Sequence, residues 1–291
     1  MGRTPPIALM LCACLWMSSC LPEWPPPGLD DDTSAGDDDT SGDDDSAGDD
    51  DTASPPTDWV SMTGDDFDMG SEGGPANEQP LRKVTVEDFE IWRTEVTVEQ
   101  YEACVDAAAC AESTVVSETC NWDVVGYEHY PANCLGWDHA VVFCEWVGGR
   151  LPSEAEWEFA ARGGGLVVVY PWGDEPADCD RAVMEDPAVG GNGCGEGRTL
   201  EVCSRSPDGD SEQGLCDMAG NVWEWVQDTW HDDYDGAPVD GSAWELDGDD
   251  NRVTRGGSQG NQGEKLTTTY RDFGEPEWAI GGLGFRCARS N

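Results

Sequence analysis

The sequence predicts an irregular α+β domain with little regular secondary structure and many disulfide bonds. Three segments carry signals for the start of a helix, whereas the runs that resemble strands, such as 84–86 and 89–91, are short. After residue 162, stretches rich in Gly, Asp and Pro separate the apolar runs. Ten cysteines lie between residues 104 and 287, and an even number in an exported chain is typical of a disulfide framework.

The composition predicts one sizeable domain and excludes one class of partner. The 291 residues include 61 acidic and 15 basic ones, which gives a formal charge of −46. This charge excludes nucleic-acid binding through a basic face. Hydrophobic residues make up 38% of the chain and include 14 tryptophans. The roughly 230 residues of the segment 58–291 are therefore enough to build one hydrophobic core.

Residues 1–19 are predicted to be a lipoprotein signal peptide. Arg3 precedes an apolar run that is too short to span a bilayer. The sequence Met17-Ser-Ser-Cys20 resembles a bacterial lipobox with Met in the place of the usual Leu, so Cys20 is expected to be lipidated. A competing match ends at Cys14, and plain secretion or a structural N-terminus are the alternatives. We therefore expect an extracytoplasmic protein of the bacterial envelope, attached to the outer membrane or cell surface by lipid.

Residues 20–57 are predicted to hold the lipidated cysteine and a disordered acidic tether. Asp-Asp-Asp occurs four times between residues 30 and 51, with Thr, Ser, Ala and Gly as spacers. Such a segment cannot bury apolar area and is extended by its own repulsion. A calcium-binding repeat is the alternative. The segment does not fit such a repeat well, because an EF-hand loop requires a Glu and residues 24–57 contain none.

The predicted helices span 98–109, 137–147 and 153–162. Thr97 is expected to cap the first, and a Gly-Gly pair follows the second. Ser153 and Glu156 have the spacing of a capping box at the start of the third.

The stretch Cys216–Trp225 is the strongest candidate for a binding site. On an extended segment Trp223 and Trp225 share one face and Glu224 points the other way. The side chains of Asp217 and Glu224, with the carbonyl groups of Gly220 and Val222, supply the hard oxygen ligands that suit Ca²⁺. The alternative is a buried aromatic turn with a solvated acid.

The spacing of the cysteines favours two disulfides, Cys104–Cys110 and Cys179–Cys194, although spacing alone does not fix the connectivity. Zinc is the rival interpretation. It is disfavoured because the chain contains no C-x2-C pair.

Several sequence blocks, in order, resemble the formylglycine-generating enzymes, also called sulfatase-modifying factors. The segment Gly220–Trp225 is similar to the family's GNVWEW signature, and the resemblance runs from about residue 58 to the C-terminus. The other blocks are Phe67–Gly70, Glu95–Thr97, Gly149–Gly163, Tyr170–Gly173, Arg252–Ser258 and Gly284–Cys287. The resemblance implies the family's C-type-lectin-like fold, which has little regular structure.

The resemblance also implies particular site residues. It supports the calcium ligands named above and a bridge between Cys144 and Cys287. It places Trp223 and Ser258 in the family's reactive pocket, with Tyr270 and Arg271 as further pocket candidates. A second calcium site would use Asp180 and the carbonyl of Arg181, although a disulfide between Cys179 and Cys194 is an alternative there.

The copper site of the family is missing from this sequence. The family's oxidases hold Cu(I) with two cysteines that follow the Arg-Gly-Gly-Ser block, and soft Cu(I) needs thiolates. Here no cysteine lies between residues 217 and 286. A related branch binds iron through histidines of an added helical domain. This chain has only His129, His139 and His231, without that domain.

Two functional hypotheses follow. The first is a lipid-anchored binding or accessory module that recognises a protein or glycan at the envelope. The second is an oxidoreductase that generates formylglycine by another route or performs a divergent metal-dependent oxidation. The missing cysteines favour the first.

Overall fold

Nine short strands and three helices organise the part of the chain that the computed structural model describes, residues 58–246 and 250–291. The strands are β1 (Trp59–Met62), β2 (Asp66–Met69), β3 (Arg82–Thr85), β4 (Phe89–Trp92), β5 (Trp223–Thr229), β6 (Arg252–Arg255), β7 (Arg271–Gly274), β8 (Leu283–Phe285) and β9 (Ala288–Ser290). The helices are α1 (Val98–Asp106), α2 (Trp137–Trp146) and α3 (Glu154–Ala161). Turns and loops make up most of the rest. The predicted α+β class with little regular structure is confirmed.

The strands form three small sheets with the orders β1-β4-β9, β2-β3 and β7-β6-β5-β8. The last strand, β9, pairs antiparallel with β4, with Ala288 opposite Ile91. In the four-stranded sheet, β5 is central and pairs parallel with β8 and antiparallel with β6. The C-terminal segment therefore joins two of the three sheets.

The helices begin where the sequence signals predicted. Thr97 and Gln100 form a capping box at α1, and Ser153 and Glu156 form another at α3. Helix α1 ends at Asp106, earlier than expected, because Ala108 adopts a positive φ of 55° and turns the chain toward the bridge between Cys104 and Cys110. A left-handed residue of this kind cannot continue an α-helix.

Five disulfide bonds brace the described residues. Three of them are pairs expected from the sequence: Cys104–Cys110, Cys179–Cys194 and Cys144–Cys287. The other two are Cys120–Cys134 and Cys203–Cys216. The bridge from Cys144 to Cys287 ties α2 to the segment between β8 and β9, across 143 positions of sequence.

The hydrophobic core has two main parts. One lies between α3 and the strands β1 to β4, and its largest buried rings are Trp157, Phe89 and Phe159. The other packs α1 and α2 against β5 and β8. Strand β5 is thus enclosed between the two, and Trp225 is fully buried there.

The predicted signal peptide, Cys20 and the acidic tether lie outside the described residues. Within the described part of the chain, no helix is long and apolar enough to cross a membrane.

Candidate functional site

The central strand β5 carries the stretch singled out in the sequence, but it buries more of that stretch than expected. Neighbouring strands cover both of its edges, and α3 packs against it. Glu224 and Trp225 both have 0% of their surface exposed, whereas Trp223 is partly exposed. The alternative interpretation, a buried aromatic turn with a solvated acid, does not hold for Glu224, because both faces of the strand are covered there.

Glu224 is neutralised by an arginine from the C-terminal segment. Its two carboxylate oxygens accept hydrogen bonds from Nε and Nη2 of Arg286, both at 2.7 Å. The indole Nε1 of Trp157 donates a third bond to Glu224 at 2.9 Å. Arg286 also donates to the carbonyl oxygens of Trp92, Arg93 and Cys216. This buried pair therefore ties β5 to the segments around it.

Two further carboxylates lie in the same buried region. Oε1 and Oε2 of Glu95 accept from the backbone N–H of Val222 and from Nδ2 of Asn221, at 3.1 and 2.7 Å. Oδ2 of Asp217 accepts from the backbone N–H of Cys203 at 2.6 Å. Burial, with repulsion from Asp217 and Glu224, raises the pKa of Glu95 well above its usual range. Burial likewise raises the pKa of Asp217 to about 6.

This cluster gathers the carboxyl groups of Glu95, Asp217 and Glu224 around the single guanidinium of Arg286. Because burial and mutual repulsion disfavour their charged forms, a bound cation would favour ionisation of the carboxyl groups that Arg286 does not neutralise. Oδ1 of Asp217 accepts no hydrogen bond from the described residues, so Asp217 fits the role of a calcium ligand. Glu224 fits it less well because Arg286 already occupies both of its oxygens.

The backbone around the cluster turns sharply. Asp217, Gly220 and Asn221 all have positive φ angles, of 54°, 91° and 58°. A Cβ atom at Gly220 would lie 2.6 Å from the carbonyl oxygen of Val183, so only glycine fits there.

The weaker calcium candidates lie elsewhere. Asp180 is exposed, and its backbone N–H donates to Asp178. Arg181 pairs through its side chain with Asp178 at 2.7 Å, and its carbonyl oxygen faces Gly209. The bridge Cys179–Cys194 adjoins this segment. Residues 58–246 and 250–291 contain no group of three or more His, Cys, Asp or Glu side chains arranged to hold a metal.

Trp223 borders an open cavity of about 250 Å³ on the four-stranded sheet. Every strand of that sheet contributes to its lining, and the loop between β7 and β8 closes one side. The lining residues are Trp223, Thr254, Asp272, Phe273, Gly274, Trp278, Ile280 and Leu283. We call this space the aromatic cavity. Tyr270 adjoins it, with its ring centroid 5.9 Å from that of Trp223.

Ser258 lies beside the aromatic cavity but its hydroxyl is engaged. It is 6% exposed, and both its N–H and its Oγ donate to Oδ1 of Asn261, at 3.0 and 2.9 Å. A Cβ built at Gly282 would lie 3.3 Å from Ser258 Oγ, and the carbonyl of Gly282 accepts from the N–H of Trp223. Ser258 and Trp223 thus both lie next to Gly282.

Arg271 does not line the aromatic cavity. Its guanidinium is buried and donates to both oxygens of Glu154, at 2.8 and 2.7 Å. The rings of Trp230 and Tyr234 lie against it, 4.6 and 4.3 Å from the guanidinium carbon. The alternating direction of side chains along β7 explains this placement, because Asp272 faces the aromatic cavity while Arg271 faces the core.

Sequence reasoning missed Glu95 and Arg286. Both lie in blocks that resemble the family, yet neither was assigned a role. The sequence offers two signals for these residues: Glu95 lies just before the helix cap Thr97, and Arg286 lies next to Cys287. The partner of each is more than 60 positions away in sequence.

All ten cysteines of the described residues form disulfides. The segment 259–270 carries instead Asn261, hydrogen-bonded to Ser258, and Leu266, which is fully buried against Ala182, Met184 and Ala219.

The three histidines lie in three different environments. His231 stacks on Trp244 with centroids 3.4 Å apart, His129 lies 3.6 Å from Glu99, and His139 borders a separate pocket.

These features define a class of protein: an α+β domain held by disulfides and buried ion pairs, with a cavity at its central strand and no free thiol among the described residues. The description of the matching family model is sulfatase-modifying factor enzyme 1-like domain, and the match covers residues 46–291. The chain belongs to this family.

Individual relatives agree with this assignment. The formylglycine-generating enzyme of Streptomyces coelicolor is 30% identical over 287 residues, which cover 79% of this chain and 88% of the relative. An inactive C-alpha-formylglycine-generating enzyme 2 of Mus musculus is 35% identical over 166 residues, covering 55% of this chain and 49% of the relative. The structure of PvdO from Pseudomonas aeruginosa superposes with a TM-score of 0.68 at 28% identity, covering 80% and 94% of the two chains.

Proposed function

We propose that this protein is a ligand-binding or accessory module of the cell envelope rather than a copper-dependent oxidase. The observation that carries the proposal is the state of the ten cysteines, all of which are bridged in the described residues. Copper chemistry on a substrate thiol requires thiolates to hold Cu(I). The groups of segment 259–270 are amide, hydroxyl, carboxylate, ammonium and aliphatic, and these are poor ligands for that ion.

The surroundings of Ser258 support binding over catalysis. The hydroxyl proton of Ser258 is already used in a hydrogen bond to Asn261. The ionisable side chain that lines the aromatic cavity is that of Asp272. A cavity lined by aromatic and aliphatic groups with one polar anchor suits recognition of a ligand. The ligand is a protein or a glycan of the envelope, or a small group carried by one of them.

Calcium is part of the proposal as a stabilising ion. Asp217, with the carbonyl groups of Gly220 and Val222, would hold it, and the nearby carboxyl groups of Glu95 and Glu224 would favour it. Ca²⁺ takes six to eight oxygen ligands, so water would complete the set. When bound, the ion would supply positive charge to a cluster in which three carboxylates share one arginine. Asp180 and the carbonyl of Arg181 form a weaker second proposal.

The membrane location is proposed from the sequence of residues 1–20. Lipid on Cys20 would hold the domain at the envelope, and the acidic segment 20–57 would separate it from the surface. The five disulfides agree with an oxidising compartment.

The test of the functional proposal is an assay for the family's reaction. The purified domain would be incubated with a sulfatase-motif peptide, oxygen, reductant and Cu(I), and the peptide analysed by mass spectrometry. We expect no aldehyde above the level of a copper-only control. A faster appearance of formylglycine would reverse the conclusion and favour the alternative, an oxidoreductase that generates formylglycine or performs a divergent metal-dependent oxidation.

A further inference from the structure

The aromatic cavity keeps large apolar side chains partly in water. Trp278 is 42% exposed and Ile280 50%, although both lie next to a well-packed sheet. Apolar groups gathered around one concave site, rather than scattered singly, mark a place where something binds.

The position of Trp278 is determined by the strand beneath it. A Cβ atom at Gly274 would lie 3.1 Å from Cε3 of Trp278 and 2.7 Å from Cη2 of Trp225. The exposed indole and the buried one therefore both approach the backbone of this glycine closely. The ring of Phe273 instead packs on Trp230, with centroids 4.8 Å apart, and Trp230 also contacts the guanidinium of Arg271. Phe273 therefore points to the same face of β7 as Arg271, and the aromatic wall of the cavity is formed by Trp278 and Trp223.

The charge at this cavity is negative. Asp272 lines it, and the exposed residues Glu275 and Glu277 precede Trp278 in the same loop. One cation is near: Nζ of Lys265 lies 3.8 Å from Oδ2 of Asp272, with both side chains about 40% exposed (38% and 40%). An exposed pair at that distance contributes little, so an incoming cation can replace the lysine. The formal charge of −46 on the whole chain further favours a cationic ligand.

Aromatic rings together with one carboxylate favour one kind of cation. The faces of Trp and Phe attract a cation through their electron-rich surfaces. A primary ammonium has three N–H donors to satisfy, and the polar side chains of the lining are Asp272 and the buried Thr254. A quaternary ammonium has no N–H groups and is weakly hydrated, so apolar walls satisfy it. A sugar ring would need more polar partners than the lining supplies.

We propose that the aromatic cavity binds a quaternary ammonium group between Trp223 and Trp278, with Asp272 as its counter-ion. This inference rests on the proposed function as a binding module and names the chemical class of its ligand. It is tested independently of the aldehyde assay, because a failure to bind leaves the absence of oxidase activity unaffected.

The experiment compares two probes of the same shape on the full chain. Choline carries the charge, and 3,3-dimethyl-1-butanol is its neutral analogue. Binding is followed by calorimetry and by tryptophan fluorescence. We expect choline to bind saturably and at least about ten-fold more tightly than the neutral analogue, which corresponds to about 1.4 kcal/mol. Equal binding of the two probes, or saturable binding of neither, overturns the proposal.

Variants assign the contacts. Asp272→Asn is expected to weaken choline binding about ten-fold and to leave the neutral analogue unchanged, since a lost charge contact affects only the cation. Trp278→Ala is expected to weaken both probes. Lys265→Gln is expected to tighten choline binding, because the competing cation is gone. Glu264→Gln, which removes an exposed charge outside the lining, is the matched control. The assigned site is contradicted if Glu264→Gln loses the preference for choline over the neutral analogue while Asp272→Asn keeps it.

A final comparison separates two sources of the group. Sedimentation with phosphatidylcholine vesicles, but not with phosphatidylglycerol vesicles, would assign a lipid headgroup. Choline binding without sedimentation would assign a group that is not a bilayer headgroup, either carried by a protein or glycan or part of a free small molecule. Thermal melting of each variant confirms that the fold is retained.

Discussion

Glu224 and Arg286 form a fully buried, bidentate ion pair in which both N···O distances are 2.7 Å. The pair joins the central strand to the segment between β8 and β9, and its guanidinium also binds the backbone of Trp92, Arg93 and Cys216. Because Glu95 and Asp217 lie in the same region, Arg286 balances more than one carboxylate. The arginine is therefore expected to matter more for stability than Glu224.

Arg286→Met should destabilise the domain more than Glu224→Gln does. Removing one partner of a buried pair costs about 3–5 kcal/mol, and the arginine variant removes the guanidinium shared by Glu224, Glu95 and Asp217. Glu224→Gln leaves Arg286 with Glu95 and Asp217. Chemical denaturation with the disulfides intact measures the free energy of unfolding of both variants. As a control, Lys83→Met removes an exposed pair with Asp68 and should change stability by less than about 1 kcal/mol. Equal losses of unfolding free energy in Arg286→Met and Glu224→Gln would contradict the larger role assigned to Arg286.

Asp228 should make the domain less stable as the pH rises from about 4 to about 7. Burial, with repulsion from Glu154, raises the pKa of Asp228 to about 7 in the folded state, from a value near 3.8 in the unfolded chain. The folded state therefore holds the proton more tightly in this window. Its contribution to stability is complete below the unfolded pKa and is lost as the pH passes the folded pKa.

The measurement is the free energy of unfolding against pH for the wild type and Asp228→Asn. The variant should lower the downward slope between pH 5 and 7, on the order of 1 kcal/mol per pH unit. Asp240→Asn is the control, because hydrogen bonds from Ser242 lower the pKa of exposed Asp240 and its titration lies below this window. An unchanged slope in Asp228→Asn would show that other groups cause the dependence.

Calcium should raise the melting temperature through Asp217. An ion that binds only the folded state stabilises it by mass action, about 2.7 kcal/mol at a hundred times its Kd. Melting in EDTA against millimolar Ca²⁺ should show the shift, and Asp217→Asn should abolish it. Glu224 is a poor test residue because its loss disrupts the pair with Arg286 regardless of calcium.

Asp180→Asn is the matched comparison for this test. A calcium shift that persists in Asp180→Asn and disappears in Asp217→Asn assigns the ion to the buried cluster. The reverse pattern would assign it to the weaker site, and a wild type that melts identically in both buffers would exclude both.

The bridge Cys144–Cys287 should stabilise the domain more than Cys104–Cys110. The two bridges span 143 and 6 positions of sequence. Loop-closure entropy alone gives about 5 and about 2 kcal/mol. Paired Cys→Ala variants compared by denaturation test the order. Peptide mapping without reduction gives a direct check, since a free thiol at Cys144 or Cys287 would contradict the bridge.

Cys20→Ser should move the protein from the membrane fraction to the soluble fraction. Burial of acyl chains contributes about 0.8 kcal/mol per CH₂. The tether, with its four Asp-Asp-Asp repeats and no basic residue, offers no electrostatic attraction in its place. Cys14→Ser is the comparison for the competing lipobox. Unchanged fractionation of Cys20→Ser would contradict lipidation at that residue.

The sequence by itself determined features that depend on near neighbours. The caps at Thr97 and Ser153 act over three residues, so the local sequence is enough to predict where α1 and α3 begin. The short-range pairs Cys104–Cys110 and Cys179–Cys194 are predictable for the same reason. The bridge between Cys144 and Cys287 was expected only from the family resemblance, because spacing alone cannot choose among so many pairings.

The tertiary structure decided which charges are buried and which face the aromatic cavity. Glu224 was expected to point to solvent or calcium, yet it binds Arg286, because β8 and α3 enclose the central strand. Arg271 and Asp272 are adjacent in sequence but serve the core and the cavity respectively, since successive side chains of a strand point to opposite faces. Trp223 and Trp278 meet at one cavity only because the chain folds β5 beside β8. Contacts of this kind join residues tens of positions apart, and no local pattern specifies them.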